Sequence, residues 1–123
     1  MGRPMNIESL SDELILDTAK SLDRLDGEIE FLREIYGLFL EDGPTRLATI
    51  SNALDEDDFV TAAKAAHSLK GMCGTLNASA LMELALELEM ACRERNKAEA
   101  MRLKNEVERL LDVVIERIAA FMA

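Results

Sequence analysis

The chain contains a single histidine, His67, and the residues around it suit the transfer of an anionic group. Imidazole has an ordinary pKa of about 6.5, so much of an exposed histidine population is neutral and nucleophilic at pH 7. Lys70 follows three residues later, which on a helix makes its ammonium a near neighbour of the ring. A phosphoryl group on one ring nitrogen would carry negative charge, which Lys70 would stabilise. The other ring nitrogen would need an orienting partner, commonly a carboxylate.

Two glycines accompany the histidine at helical spacing. Gly71 and Gly74 lie one and two turns after His67, and Ala63 lies one turn before it. A glycine inside a helix costs about 1 kcal/mol relative to alanine, so helix propensity alone does not explain this pair. Small side chains here would let another macromolecule approach His67 closely. The alternative is that the two glycines let neighbouring helices of the same bundle pack closely.

The helix that carries these residues is predicted at about residues 57–76, with Asp55 or Asp57 as its N-cap. At about 100° per residue, its apolar side chains fall on one side and His67 points away from that side. The predicted buried positions are Phe59, Ala62, Ala66, Leu69, Cys73 and Leu76. We therefore expect His67 on the solvent-facing side, above the two glycines.

Two elements are predicted before that helix. Ser9 and Ser11 are candidate caps of a short first helix, whose buried residues would be Leu14, Ile15 and Ala19. A long apolar-periodic stretch then predicts a helix at about 28–54. Pro44 lies inside this stretch, and proline lacks the N–H that a helix interior needs. We expect one kinked helix there, with a break into two as the alternative.

Two further helices are predicted after it. Ser79 is the candidate cap of a helix at about 79–94. Asn96 would cap the last helix, with Glu99 placed three residues later as in a capping box. Apolar residues recur at spacings of three and four through the rest of the chain, and short connections favour antiparallel neighbours. The fold predicted is all-α, an antiparallel up-down four-helix bundle with a short extra N-terminal helix. Its bounds would be 11–123, after a tail at 1–10.

The composition excludes several function classes. The formal net charge is −10, which should repel nucleic acid and anionic membrane surfaces. No apolar run approaches the roughly 20 residues that span a bilayer, and the N-terminus lacks a signal peptide's apolar stretch. Cys73 and Cys92 are too few for a disulfide framework or zinc site, and the acids at 55–58 lack the spacing of a calcium loop. We expect a cytoplasmic protein without a metal site.

The stretch His67-Ser68-Leu69-Lys70-Gly71, followed by Gly74 and Leu76, resembles the motif of histidine phosphotransfer (HPt) domains of two-component phosphorelay signalling. The similarity extends over about residues 24–121 and includes the segment Glu41-Asp42-Gly43-Pro44 that precedes the motif. One departure is Asn77, where the family commonly has glycine. Asparagine is the best substitute where a helix ends in the left-handed conformation, so the departure does not weaken the resemblance.

The resemblance implies a phosphorelay intermediate without kinase or phosphatase activity of its own. His67 would accept a phosphoryl group from a receiver-domain aspartate, or from a sensor histidine kinase, and pass it to another receiver. Lys70 would stabilise the phosphate charge, and Glu89 matches the position that orients the histidine. Gly71, Gly74 and Ala63 would form the partner-docking surface. The chain would need no cofactor, since magnesium belongs to the receiver.

Three alternatives remain at this point. A chemotaxis-type domain, phosphorylated directly by a kinase domain, would use the same histidine chemistry. A helical adaptor could dock a signalling partner through the glycine-lined face without any chemistry. An enzyme such as a metal-dependent hydrolase is disfavoured, because the chain has one histidine, no cluster of metal ligands and no glycine-rich phosphate loop.

Overall fold

The computed structural model describes residues 6–123, so the first five residues of the predicted N-terminal tail lie outside the described part. All regular structure in the described residues is helical, which confirms the predicted all-α class. A 3₁₀ turn at Ile7–Ser9 precedes six α-helices. These helices are α1 (Asp12–Ile15), α2 (Thr18–Arg24), α3 (Ile29–Asp55), α4 (Phe59–Leu76), α5 (Ser79–Arg93) and α6 (Lys97–Met122).

The four long helices enclose one hydrophobic core. Helix α4 packs against α3 and α5, and α6 packs against the same two helices on the far side. The apolar side predicted for α4 is buried as expected, with Phe59 half-buried at its start. Burying a leucine or similar side chain contributes about 1.5–3 kcal/mol, so this contact fixes which face of α4 reaches solvent. The largest fully buried side chains include Tyr36, Leu32, Ile50, Leu54, Leu69, Leu81 and Leu88.

Helix α3 runs through Pro44 as one element, so the alternative of two separate helices is wrong. Proline removes one backbone donor and crowds the preceding turn, which weakens a helix locally. The adjacent Gly43 is buried, and the ring of Phe39 lies about 3.2 Å from where a Cβ at Gly43 would be. The packing of Phe39 over this bare backbone helps to hold the helix together where proline weakens it.

Two of the predicted caps are wrong. Asp58, rather than Asp55 or Asp57, caps α4, because its carboxylate accepts the backbone N–H of Thr61 at 3.1 Å. Asp57 instead adopts the left-handed conformation with φ of 57° in the turn. Ser79 is the first residue of α5 rather than its cap, since Ala78 occupies the cap position.

The N-terminal segment forms two short helices instead of the one predicted. Asp17 separates them, because its carboxylate accepts the N–H of Lys20 at 2.9 Å and starts α2 anew. Ile15 is buried as predicted, whereas Leu14 is 46% exposed and Ala19 is exposed. Because α1 ends after one turn and Asp17 starts a new helix, the residues of α2 do not continue the buried face of α1.

Helix α2 braces the C-terminal end of α4. The Ser21 hydroxyl donates to the carbonyl of Leu76 at 3.2 Å, and the Asn77 side-chain amide donates to the Ser21 hydroxyl at 2.8 Å. Asn77 ends α4 in the left-handed conformation, with φ of 59°, as the sequence predicted. This end of the helix is therefore fixed by side-chain contacts as well as by packing.

The predicted cap at Asn96 is confirmed, since its side chain accepts the N–H of Glu99 at 3.2 Å. The carboxylate of Glu99 pairs with Arg102 instead of returning to Asn96, so only half of the capping box forms. We expect Asn96→Ala to lower the free energy of unfolding by about 1 kcal/mol, because one N–H of α6 loses its partner. Urea denaturation measures this change, with Asn105→Ala in the exposed middle of α6 as the control. An equal loss in both variants would contradict the capping role.

Candidate functional site

His67 lies in the middle of α4, on the side opposite the core. Its side chain is 61% exposed, whereas Ala66 and Leu69 beside it are fully buried. The predicted orientation of the ring toward solvent is therefore confirmed. The rigid packing of α4 between α3 and α5 holds this exposed ring in a defined place on the surface.

Glu89 extends from α5 to the imidazole of His67. Both carboxylate oxygens lie 3.2 Å from Nδ1, and the Glu89 residue is only 6% exposed. A carboxylate accepts hydrogen bonds, so this contact favours the tautomer in which Nδ1 carries the proton and donates. Nε2 then bears the free lone pair, and no described residue forms a hydrogen bond with it. The nitrogen available as a nucleophile is thus Nε2, on a side chain that is 61% exposed.

Two cations also bind the Glu89 carboxylate. Lys70 Nζ lies 3.2 Å from Oε1, and Arg93 donates to Oε2 from Nη2 at 2.8 Å and from Nε at 3.0 Å. The unreacted protein therefore holds Lys70 against Glu89, next to the ring. Arg93 was not among the predicted site residues, although its position four residues after Glu89 on one helix is a signal for such a pair.

These partners determine the charge state of Glu89. Burial raises the pKa of its carboxyl, but the hydrogen bonds from Arg93, Lys70 and His67 together outweigh burial and lower it. Glu89 is therefore ionised at neutral pH. Two full positive charges surround one negative charge, so the site keeps a positive excess where an anionic group would arrive.

The lowered pKa of Glu89 predicts a pH-dependent contribution to stability. A carboxyl with a depressed folded-state pKa stabilises the fold fully above its ordinary value of 4.5, and this contribution falls as pH drops through the folded-state pKa. We expect Glu89→Gln to lower the free energy of unfolding by about 1.5 kcal/mol at pH 7 and by less at pH 3. Denaturation at both pH values measures the difference. Glu83→Gln, exposed on the same helix, is the control, and a pH-independent deficit at Glu89 would contradict the assignment.

The two glycines differ in their surroundings. A Cβ on Gly71 would meet nothing within 4 Å, so this backbone is open to solvent as the docking interpretation expects. A Cβ on Gly74 would lie 3.3 Å from Sδ of Met82 on α5, so Gly74 also accommodates a neighbouring helix. The alternative of close packing within the bundle therefore applies to Gly74 and not to Gly71.

Ala63 requires a correction. It is only 2% exposed, because α5 covers this side of α4, so its methyl group offers little contact area of its own and instead lines a cleft between α4 and α5. Two exposed apolar residues near the site were not among the predicted docking residues. Val60, seven residues before His67 on α4, is 56% exposed, and Leu86, three residues before Glu89 on α5, is 41% exposed. Single exposed apolar side chains are common on folded proteins, so these two residues alone do not define a docking surface.

The two cysteines of the chain lie in the described part, away from solvent. Cys73 and Cys92 are free and buried, and burial raises the pKa of the Cys73 thiol to about 12. Among residues 6–123, no group of three or more histidine, cysteine or acidic side chains is placed to hold a metal ion. None of the described helices has the length and apolar character needed to cross a membrane.

Comparison with known proteins agrees with this geometry. The family model described as the Hpt domain matches residues 34–119, which is more than half of the chain and includes His67, Lys70 and Glu89. No curated protein matches the chain significantly, and no solved structure does either. The chain therefore belongs to the Hpt domain family, whose members carry out histidine phosphotransfer in two-component phosphorelays.

Proposed function

We propose that His67 accepts a phosphoryl group from the aspartyl phosphate of a receiver domain and passes it to the aspartate of another receiver. Nε2 attacks phosphorus, the P–O bond to the aspartate breaks, and the aspartate leaves as a carboxylate. The reverse chemistry on a second receiver restores the free imidazole. The observation that carries this proposal is the contact of Glu89 with Nδ1, which directs the lone pair of an exposed ring to Nε2.

The neighbouring residues have separate roles in this proposal. Glu89 orients the ring and stabilises the positive charge that develops on it while Nε2 forms its bond to phosphorus. Lys70, 27% exposed, lies beside the ring and would donate to the phosphoryl oxygens. Gly71 leaves the backbone bare where the receiver must approach. Gly74, half-buried, continues this low surface toward α5.

The proposal leaves the remaining chemistry to the partner. The chain would act as a phosphocarrier without kinase or phosphatase activity, and magnesium would be bound by the receiver. A sensor histidine kinase could load the same nitrogen directly, as in a chemotaxis-type domain. Connections of three residues between α3 and α4 and between α5 and α6 support the antiparallel up-down arrangement. We place the reaction in the cytoplasm, where such receivers act.

The test is phosphotransfer profiling against the receiver domains of the source genome, each phosphorylated beforehand. Transfer should give the wild-type chain a phosphate that acid removes and base does not, as expected for a phosphoramidate. Failure of every receiver, and of every kinase domain, to label the chain would refute the proposal. Binding of a receiver without any transfer would identify the chain as an adaptor instead.

A further inference from the structure

A positively charged cleft adjoins the histidine on the side of the α5–α6 turn. It lies between the first half of α4 and the end of α5, with a volume of about 220 Å³. Its lining includes Phe59, Val60, Lys64, Arg93 and Arg95, and no acidic residue. The chain as a whole has 24 acidic and 14 basic residues. The lining of this cleft, with three basic residues and no acidic one, therefore has the opposite sign of charge to the chain.

Two of these cations are available to a partner. Arg93 is bound to Glu89, but Lys64 and Arg95 form no ion pair with any described residue. Lys64 is exposed and, among residues 6–123, forms no salt bridge, although the charge of the nearby Asp58 carboxylate, which also accepts the N–H of Thr61, offsets part of its own. Unpaired cations in a wall of a cleft attract an anionic group more strongly than cations that already have a carboxylate.

Arg95 occupies an unusual backbone position. Within residues 6–123, four non-glycine residues have positive φ, and three of them are aspartate or asparagine, which tolerate this conformation best. Arg95 is the exception, with φ of 56°. Its guanidinium lies 5.7 Å from the centre of the Phe59 ring, which holds the charge at the edge of the cleft. An arginine at this strained position suggests that its side chain has a role.

The cleft and the histidine share one surface. At 1.5 Å and 100° per residue, Lys64 lies about 4.5 Å along α4 from His67 and Val60 about 10 Å, both within about 60° of its direction. Arg93 connects the two regions, because it lines the cleft and binds the carboxylate that contacts His67. A protein that covers His67 therefore also covers the cleft.

We propose that this cleft receives an acidic side chain of the receiver domain that docks over His67, and that Lys64 and Arg95 pair with it. This inference rests on the proposed function and adds the part of the surface that selects the partner. At physiological salt, charges separated by more than about 8 Å are largely screened. The net charge of −10 thus matters less for docking than the cations beside His67, which offset repulsion between two acidic proteins.

The test compares two double variants that each remove two positive charges. Lys64→Gln/Arg95→Gln alters the cleft, whereas Lys20→Gln/Lys104→Gln alters α2 and α6, where neither lysine has an ion pair with a described residue. The probe is a receiver domain that transfers its phosphoryl group to the wild-type chain. At 50 mM salt we expect the cleft variant to bind this receiver about tenfold more weakly. The difference should largely disappear at 500 mM salt, and the control should bind as the wild type does.

The maximal transfer rate separates docking from chemistry. With saturating receiver, the cleft variant should transfer within about twofold of wild type, because neither residue contacts the imidazole. Wild-type affinity and salt dependence in the cleft variant, or an equal loss in the control, would overturn the inference while leaving the proposed function intact. If no receiver labels the wild type, both fail together. Lys64→Gln alone, on an exposed position of α4, repeats the test if Arg95→Gln unfolds the turn.

Discussion

Replacing His67 with glutamine is expected to abolish phosphoryl acceptance, lowering the transfer rate from a phosphorylated receiver at least 1,000-fold, on the order of the loss of a catalytic nucleophile. Glutamine has no nucleophilic nitrogen, but its amide can still donate to Glu89. The side chain is 61% exposed, so the bundle should lose little stability. Radiolabelled transfer, measured with and without base treatment, gives the result directly.

Receiver affinity provides the control for His67→Gln. The substitution leaves Gly71, Val60 and the positive cleft in place, so we expect the receiver to bind with a dissociation constant within about threefold of wild type. Loss of both binding and transfer would mean that the variant had disturbed the surface and not only the chemistry. Equal labelling of the variant and the wild type would show that another residue accepts the phosphoryl group.

Gly71→Gln is expected to change stability and function in opposite directions. A Cβ at Gly71 meets nothing within 4 Å, and glycine is a poorer helix former than glutamine. The free energy of unfolding should therefore rise by about 0.5 kcal/mol. The longer side chain would occupy the surface over which the receiver must approach Nε2, so we expect phosphoryl transfer to fall about 100-fold. Thermal denaturation and transfer kinetics on the same preparation measure both effects.

The matched control is Ala119→Gln, which adds a glutamine side chain to an exposed position of α6, on the opposite side of the bundle from α4. It should transfer at the wild-type rate. A Gly71→Gln variant that is as active as wild type would show that the receiver does not pass over this turn of α4. A strongly destabilised variant would contradict the open space found beside Gly71.

The position of His67 could be predicted because one helical period determines it. The apolar residues of α4 recur at about 100° per residue, and burial of that side leaves a single direction for the imidazole. Glu89 came from the family resemblance alone, since nothing in local sequence indicates which carboxylate of α5 meets α4. Arg93 was missed for the same reason. Its contact with the site depends on the direction in which the Glu89 side chain extends.

The caps show where local sequence is insufficient. Four consecutive acids precede α4, and each could accept an N–H at its start. The choice of Asp58 follows from the turn, in which Asp57 takes the left-handed conformation and leaves Asp58 at the cap position. Likewise, the cap at Asp17 divides the N-terminal segment into two helices. The helical period counted from Ile15 therefore predicts that Ala19 is buried, whereas it is exposed.

The ammonium of Lys70 is already held beside the imidazole by Glu89 before any phosphate arrives. When His67 is phosphorylated, this ammonium needs only to donate hydrogen bonds to the phosphoryl oxygens as well. Little further ordering of side chains is then required. We expect the loaded and empty proteins to have nearly the same shape and mobility. Such a carrier would transfer the phosphoryl group reversibly. The relative stability of the aspartyl phosphates on the donor and acceptor receivers would then set the direction of transfer.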